Sequence, residues 1–364
     1  MSCAKKTLTT STKEIVKRVV GDRIWNELKV RFEMRVRKNA LHRGAWDDFC
    51  RVCLKHYKPI TAPMILVSQI QRSGGTLLSQ LLDGHSELHA HPYELKIGHP
   101  SKYIWPDIRL DSDPETWFEI LFEDVVIKLF RDGYQKGRKD DESFPFIFLP
   151  YIQRRIFLDY LRRFRSVSLR DVFDGYMTSF FNAWIDNHNN VGHKKYVSAF
   201  TAGLATNKQS VDRFFEVYPD GYMISIIRDP KNWYPSALRH RPDEYSDVDK
   251  GLDFWNRNAK AILRNKEEYS DRVCIIKFED LVGRTEDIMR FLCSYVGIGF
   301  EDIAVVPTFN KWPIRANTSF DTKEHGVVGD TLQRYTTLGK EILDRIESLT
   351  NETYGRLLEK ADVL

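Results

Sequence analysis

The chain has 364 residues, of which 42% are hydrophobic and 13% aromatic, enough apolar material for one large core or two modest ones. Its 55 Lys and Arg nearly balance its 51 Asp and Glu, leaving a net charge of +4, and no nucleic-acid partner is expected. No run reaches the roughly 18 apolar residues needed to span a bilayer. The richest segment, Phe144 to Ile152, is interrupted by Pro145 and Pro150, so no transmembrane helix is expected.

At the start of the chain, Lys5 and Lys6 are not followed by an apolar stretch, so no cleaved secretory signal is expected and a cytoplasmic location follows. The five cysteines, Cys3, Cys50, Cys53, Cys274 and Cys293, form an odd and scattered set, which fits reduced thiols. Cys50, Cys53 and His56 have part of a metal-ligand spacing, but no second pair lies close enough in sequence to complete a tetrahedron, and no metal is expected.

The first 60 residues hold 15 Lys and Arg against 6 Asp and Glu, so the basic charge is concentrated there. Val16, Val20, Ile24, Leu28, Phe32 and Val36 recur every four residues, which predicts a basic amphipathic helical extension over residues 1–60. Docking of its apolar stripe on a core is the first expectation, and peripheral membrane or partner contact the second.

Beyond Pro59 and Pro63, Met64 to Gln69 is an apolar run that predicts a buried strand. Gln71-Arg72-Ser73-Gly74-Gly75-Thr76-Leu77 follows as a glycine turn leading into a helix. That order builds a phosphate cradle: Gly74 and Gly75 allow close backbone approach, Ser73 and Thr76 offer hydroxyls, and the first-turn amides of the helix point at one spot. Arg72 adds a fixed positive charge. The cradle lacks the Gly-Lys-Ser/Thr of an ATP or GTP site, which counts against a P-loop kinase.

Asp113-Pro114-Glu115 predicts a helix start, with Trp117, Ile120, Leu121, Val125 and Leu129 forming one apolar face up to Gly133. The polar stretch Gly133 to Glu142 predicts a loop. Residues 143–190 are aromatic-rich and predict two or three helices, among them Ile152 to Phe164, within a helical insertion spanning about residues 101–192. Further strands are predicted at Lys195 to Phe200, Gly221 to Ile227 and Val273 to Phe278, with a helix at Lys208 to Val217 and another capped by Thr285. Strands alternating with helices imply an α/β domain over residues 61–325, a parallel sheet flanked by helices, followed by a helical segment over 326–364.

Arg228 closes the apolar run Met223 to Ile227, and Ser236 follows eight residues later. Two anion sites, each behind an apolar strand, are much harder to obtain by chance than either one alone. Together they resemble the sulfotransferases that use 3′-phosphoadenosine 5′-phosphosulfate (PAPS), closest to the arginine-containing tyrosylprotein, carbohydrate and bacterial trehalose branches. The resemblance spans about residues 60–325.

It implies that Arg72, Ser73, Gly74, Gly75, Thr76 and Leu77 hold the 5′-phosphosulfate, and that Arg228 and Ser236 grip the 3′-phosphate. It further implies in-line sulfuryl transfer to a hydroxyl or amine of a small-molecule, carbohydrate or peptide acceptor, with PAPS as donor and no metal required. Glu94 falls where the family places its general base, with His91 a second candidate and His89 a weaker one. The segment Lys277 to Leu281 resembles a later strand and helix of the family, and Asn317-Thr318-Ser319-Phe320 a loop closing over the nucleotide. A nucleotide-binding interaction protein without turnover remains an alternative.

Overall fold

A computed structural model describes residues 10–40, 46–98, 104–136, 144–315, 327 and 332–362, the side chains of 10–18 and 36–40 excepted. The family-like loop Asn317 to Phe320 lies outside the described residues. The chain divides into two units, Met1–His56 and Tyr57–Leu364.

The first unit holds α1 (Thr10–Ala40) and α2 (Trp46–His56). The single amphipathic helix predicted here is broken at Gly21, whose φ of 75° and ψ of 158° are not helical. Glycine enters that region at little cost, and it interrupts the four-residue repeat. Ile24, Leu28 and Phe32 are exposed.

The second unit is built on a five-stranded sheet: β1 (Met64–Val67), β2 (Leu88–Glu94), β3 (Tyr196–Phe200), β4 (Tyr222–Ile227) and β5 (Val273–Lys277). All neighbours run parallel, in the order β2-β3-β1-β4-β5. The helices are α3 (Gly75–Leu82), α4 (Pro114–Leu121), α5 (Val125–Asp132), α6 (Pro150–Leu161), α7 (Leu169–Ala183) and α8 (Lys208–Val217). They continue with α9 (Pro230–His240), α10 (Pro242–Tyr245), α11 (Val248–Tyr269), α12 (Phe278–Gly283), α13 (Thr285–Val296) and α14 (Lys340–Lys360). A two-residue hairpin, β6 (Thr308–Phe309) with β7 (Trp312–Pro313), lies apart from the main sheet.

Every residue of β1 is buried, as a parallel strand covered on both faces requires. Ile65, Val67, Ile224, Ile226, Cys274 and Ile276 alternate along their strands and pack with Leu78 and Leu81 of α3 and with Ile288 and Leu292 of α13. Each such side chain, fully buried, contributes about 1.5–3 kcal/mol.

One strand adds to those expected, and two local expectations are corrected. β2 is a strand although Leu88-His89-Ala90-His91-Pro92-Tyr93-Glu94 does not read as one. It is an edge strand whose register shifts between Ala90 and Glu94, where Pro92 lacks an N–H to pair. The helix predicted to run up to Gly133 is two helices, α4 and α5, because Phe122 turns to an extended backbone, with ψ 134°. Thr285 does not cap α13; its Oγ1 donates to the Leu281 carbonyl, and Arg284 holds the cap position.

The free edge of β5 is covered from the chain's last described residue. The backbone N–H of Asp362 donates to the Ile275 carbonyl at 2.8 Å, and its Oδ2 accepts from the Ile275 N–H at 2.8 Å. Lys266 Nζ of α11 donates to Asp362 Oδ1 at 2.7 Å. Asp362→Ala orphans a buried backbone donor and should destabilise the unit by about 1–3 kcal/mol. A chemical-denaturation midpoint indistinguishable from the unmodified chain would refute this clamp.

Candidate active site

Strand order places the site. β1 and β4 are neighbours with Val67 beside Ile224, so the loops leaving their C-terminal ends emerge together. In open α/β sheets this is where ligands bind. Arg72 leaves β1 and Arg228 leaves β4, and Arg228 Nη1 donates to the Arg72 carbonyl at 3.0 Å. The two basic positions, 156 residues apart in sequence, thus form one cluster.

The glycine turn is shaped by close packing. Gly74 sits at φ 98° as the N-cap of α3, and a Cβ there would lie 2.5 Å from the Phe278 ring. A Cβ on Gly75 would lie 2.2 Å from Gln69 Nε2 and 2.4 Å from the Phe200 ring, so both positions require glycine. Arg72 itself adopts φ 68°, a left-handed conformation that is uncommon outside glycine and held here by its surroundings. Trp233 Nε1 donates to the Gln71 carbonyl at 2.7 Å and ties α9 to the turn. Ser73 Oγ is buried and has no hydrogen-bond partner among the described residues. The amides of Gly75, Thr76 and Leu77 open α3, where intrahelical acceptors are lacking.

Ser236, on α9, is buried and accepts from Arg334 Nη1 at 3.1 Å. Arg334 lies in a short 3-10 turn beyond the stretch where the sequence resemblance ends, so sequence reasoning missed it. It is 7% exposed and Arg228 2%, so two guanidinium groups are nearly enclosed. Burial, then the charge of Arg334, pushes Arg228 down to about 9, with Glu279 opposing and Arg72 adding to the push. Burial, then Arg72, pushes Arg334 down to about 10. Burial also lowers Arg72. Cations gathered where solvent is scarce repel one another, and a bound anion would offset that cost. The Arg228 guanidinium lies 4.3 Å from the centre of the Phe278 ring, which supports it from one face.

Glu94 ends β2 beside Phe200 of β3, with its side chain mostly covered. Lys96 Nζ is 3.7 Å from Glu94 Oε2. Lys136, in the stretch predicted only as a polar loop, reaches the same place, with its ammonium 4.3 Å above the Tyr93 ring. Burial pushes Lys136 down to about 8; Glu94 opposes this, while Lys96 and Arg72 add to it, so Lys136 feels both Glu94 and the cradle arginine.

The two histidines go elsewhere. His91 is buried, its Nδ1–H donating to the Tyr93 carbonyl at 2.9 Å and its Nε2 facing Glu123 Oε1 at 3.0 Å. Burial disfavours its charged form, but the Glu123 carboxylate outweighs that and raises its pKa. Glu123 also accepts from the Tyr176 hydroxyl at 3.0 Å and from the Lys96 backbone N–H at 2.6 Å. This buried pair therefore pins the strand end that carries Glu94. His89 lies five residues upstream and lines an open cavity with Pro63, Lys195 and Tyr196 at the opposite, N-terminal end of the strands. Burial pushes it down to about 4.

The model of the sulfotransferase family, described as Sulfotransfer_3, matches residues 63–302. The chain belongs to the sulfotransferase family. No curated protein sequence matches it. Among solved structures, the sulfotransferase domain of the Synechococcus PCC 7002 olefin synthase is 17% identical with a TM-score of 0.51, covering 85% of this chain and 97% of that one. The sulfotransferase domain of the curacin biosynthetic pathway is 16% identical with a TM-score of 0.48, covering 81% and 99%. A mouse sulfotransferase complexed with PAP is 12% identical with a TM-score of 0.38, covering 86% of this chain and 94% of that one. Family membership supersedes the kinase reading. The parallel α/β sheet is that of a sulfotransferase, and no described helix is long and apolar enough to cross a membrane.

Glu279, on α12, yields a pH test of the cluster. Its Oε1 accepts from the Asp229 N–H at 3.2 Å, and burial pushes its carboxyl up to about 7, with Arg228 opposing and Asp229 adding. The folded sulfotransferase then keeps a proton that the unfolded chain releases above its ordinary range near 4.5. Stability attributable to this group falls as pH rises from about 4.5 to about 7, by on the order of 3 kcal/mol. Glu279→Gln should abolish that part of the fall, measured as the difference between the two proteins' denaturation free energies at pH 5 and pH 8. A difference independent of pH would contradict it.

Proposed function

We propose that the protein transfers a sulfuryl group from PAPS to a hydroxyl or amine acceptor, with Glu94 as the general base. The observation that carries this reading is the enclosed cluster of Arg72, Arg228 and Arg334 beside a glycine cradle whose Ser73 hydroxyl lacks a partner among the described residues. Members of the family generally draw on PAPS, and the donor set suits a ligand with two separate anionic ends.

PAPS supplies the sulfuryl group when bound. Arg72, Ser73 and the first-turn amides of α3 hold its 5′ end and stabilise charge building toward the departing phosphate. Arg228, Ser236 and Arg334 hold the 3′-phosphate, a task suited to planar guanidinium forks. Glu94 accepts the proton of the attacking hydroxyl, and its carboxylate is kept in place by Lys96 and by the His91–Glu123 pair beneath it. His91 has both ring nitrogens engaged inside the core and takes a positioning role. His89 is at the wrong end of the strand for either task. Lys277 to Leu281 contributes through Phe278, which packs against Gly74 and Arg228.

Arg228→Ala and Arg334→Ala should each weaken binding of 3′,5′-adenosine bisphosphate (PAP) about 10- to 100-fold, as for a lost charge-assisted hydrogen bond. Binding of 5′-AMP, which lacks the 3′-phosphate, should change far less. Calorimetric titration showing equal losses for both nucleotides would remove these arginines from the 3′-phosphate site.

Glu94→Gln should reduce transfer of radiolabelled sulfate at least 100-fold while PAP affinity stays within about threefold. A fully active Glu94→Gln protein would exclude the base assignment. A chain that binds PAP but transfers sulfate to no member of a broad acceptor panel would fit the interaction-protein alternative.

A further inference from the structure

The acceptor side of the site carries more positive charge than the transferred group accounts for. Tyr93, Lys96 and Lys136 form one wall. Lys136 Nζ lies 4.3 Å and Lys96 Nζ 5.4 Å from the centre of the Tyr93 ring, so two ammonium groups meet one aromatic ring. Lys136 is not a loose surface residue. Two residues before it, Tyr134 is buried, stacked on Phe309 at 4.1 Å, and its hydroxyl accepts from Gln80 Nε2 of α3 at 2.8 Å. The Tyr134 backbone N–H donates to the Phe144 carbonyl at 2.8 Å. The helical insertion thus delivers Lys136 to the strand end on a fixed arm anchored to the cradle helix.

Among the described residues, Glu94 is the carboxylate that offsets Lys136, and the ammonium is already partly stripped of water. In the proposed reaction Glu94 takes up a proton and loses its charge. Lys96 and Lys136 would then lose the charge of the one carboxylate their ammonium groups are seen to meet among the described residues, while Arg72 is committed to the donor. A half-buried ammonium pair in that state is stabilised by an anion.

Resting on the sulfuryl-transfer reading above, we infer that the physiological acceptor carries its own anionic group, a carboxylate, sulfate or phosphate, close to the hydroxyl that is modified. Lys136 and Lys96 recognise that group, with Tyr93 as the apolar platform beside it. In this arrangement Lys136 selects the acceptor; it does not serve the transferred group.

The test uses acceptor pairs that differ in charge: glucuronate against glucose, and 4-hydroxyphenylacetate against 4-hydroxyphenylacetamide. Transfer from radiolabelled PAPS is measured with the full chain, with Lys136→Met and with Lys136→Arg, and thermal stabilisation by PAP is recorded for each. The expected result is at least a tenfold higher kcat/KM for the charged member of a pair. Lys136→Met should collapse that ratio toward one, mainly through KM, and Lys136→Arg should retain it. The inference is overturned by equal use of charged and neutral members, by a Lys136→Met loss that falls on kcat equally for both, or by a PAP-stabilised protein that turns over no charged member. Absence of stabilisation by PAP brings down the donor reading itself, so the two failures are told apart.

Discussion

The structure depends on gathering like charges where solvent is scarce. Arg72, Arg228 and Arg334 come from the ends of two neighbouring strands and from a turn near the end of the chain; Arg334 and Arg72 lower the pKa of Arg228, and Arg72 lowers that of Arg334. Burying guanidinium groups together costs free energy that the apolar sheet must supply, because every such group loses hydration and gains a repelling neighbour. The sheet has that capacity: both faces of β1, β4 and β5 are covered, and the residues of β1 are fully buried. The fold therefore holds an unfavourable electrostatic arrangement that a bound anion would relieve, as the proposed donor does.

The backbone around the cluster leaves little freedom. Gly74 is pressed against Phe278, Gly75 against Gln69 and Phe200, and Trp233 holds the Gln71 carbonyl. Residues from β3, α9 and α12 thereby fix one turn between β1 and α3. On the acceptor side the same logic uses a buried polar group: Glu123 joins the His91 ring, the Tyr176 hydroxyl and the Lys96 amide, so the edge strand is held from inside the core although Pro92 interrupts its pairing. Such a network is costly to break at any one point, and it fixes the end of the strand that carries Glu94.

Part of this was legible in the sequence because it is local. The apolar run Met64 to Val67 followed by Arg72 to Leu77, and the run ending at Arg228 with Ser236 beyond it, carry their geometry within a few residues. β2 was not legible, since its two histidines, proline and glutamate break the apolar pattern and its pairing comes from β3 alone. Arg334 and Lys136 were hidden for a different reason. Each sits in a polar stretch without periodicity, and only tertiary contacts with Ser236 and with Tyr93 give it meaning. His91 falls near where the family places its base, and no sequence pattern foretells that Glu123, 32 residues away, engages its ring inside the core.

The clamp of Asp362 on Ile275 has a consequence for how molecules of this protein meet one another. A parallel sheet with bare outer strands is a template onto which another chain's strand can zip. Here one outer strand has part of its ladder occupied by a tail residue and the other is bent by a proline and a register shift. Among the described residues neither margin presents a long uninterrupted row of open donors and acceptors, which disfavours edge-to-edge growth into larger β assemblies.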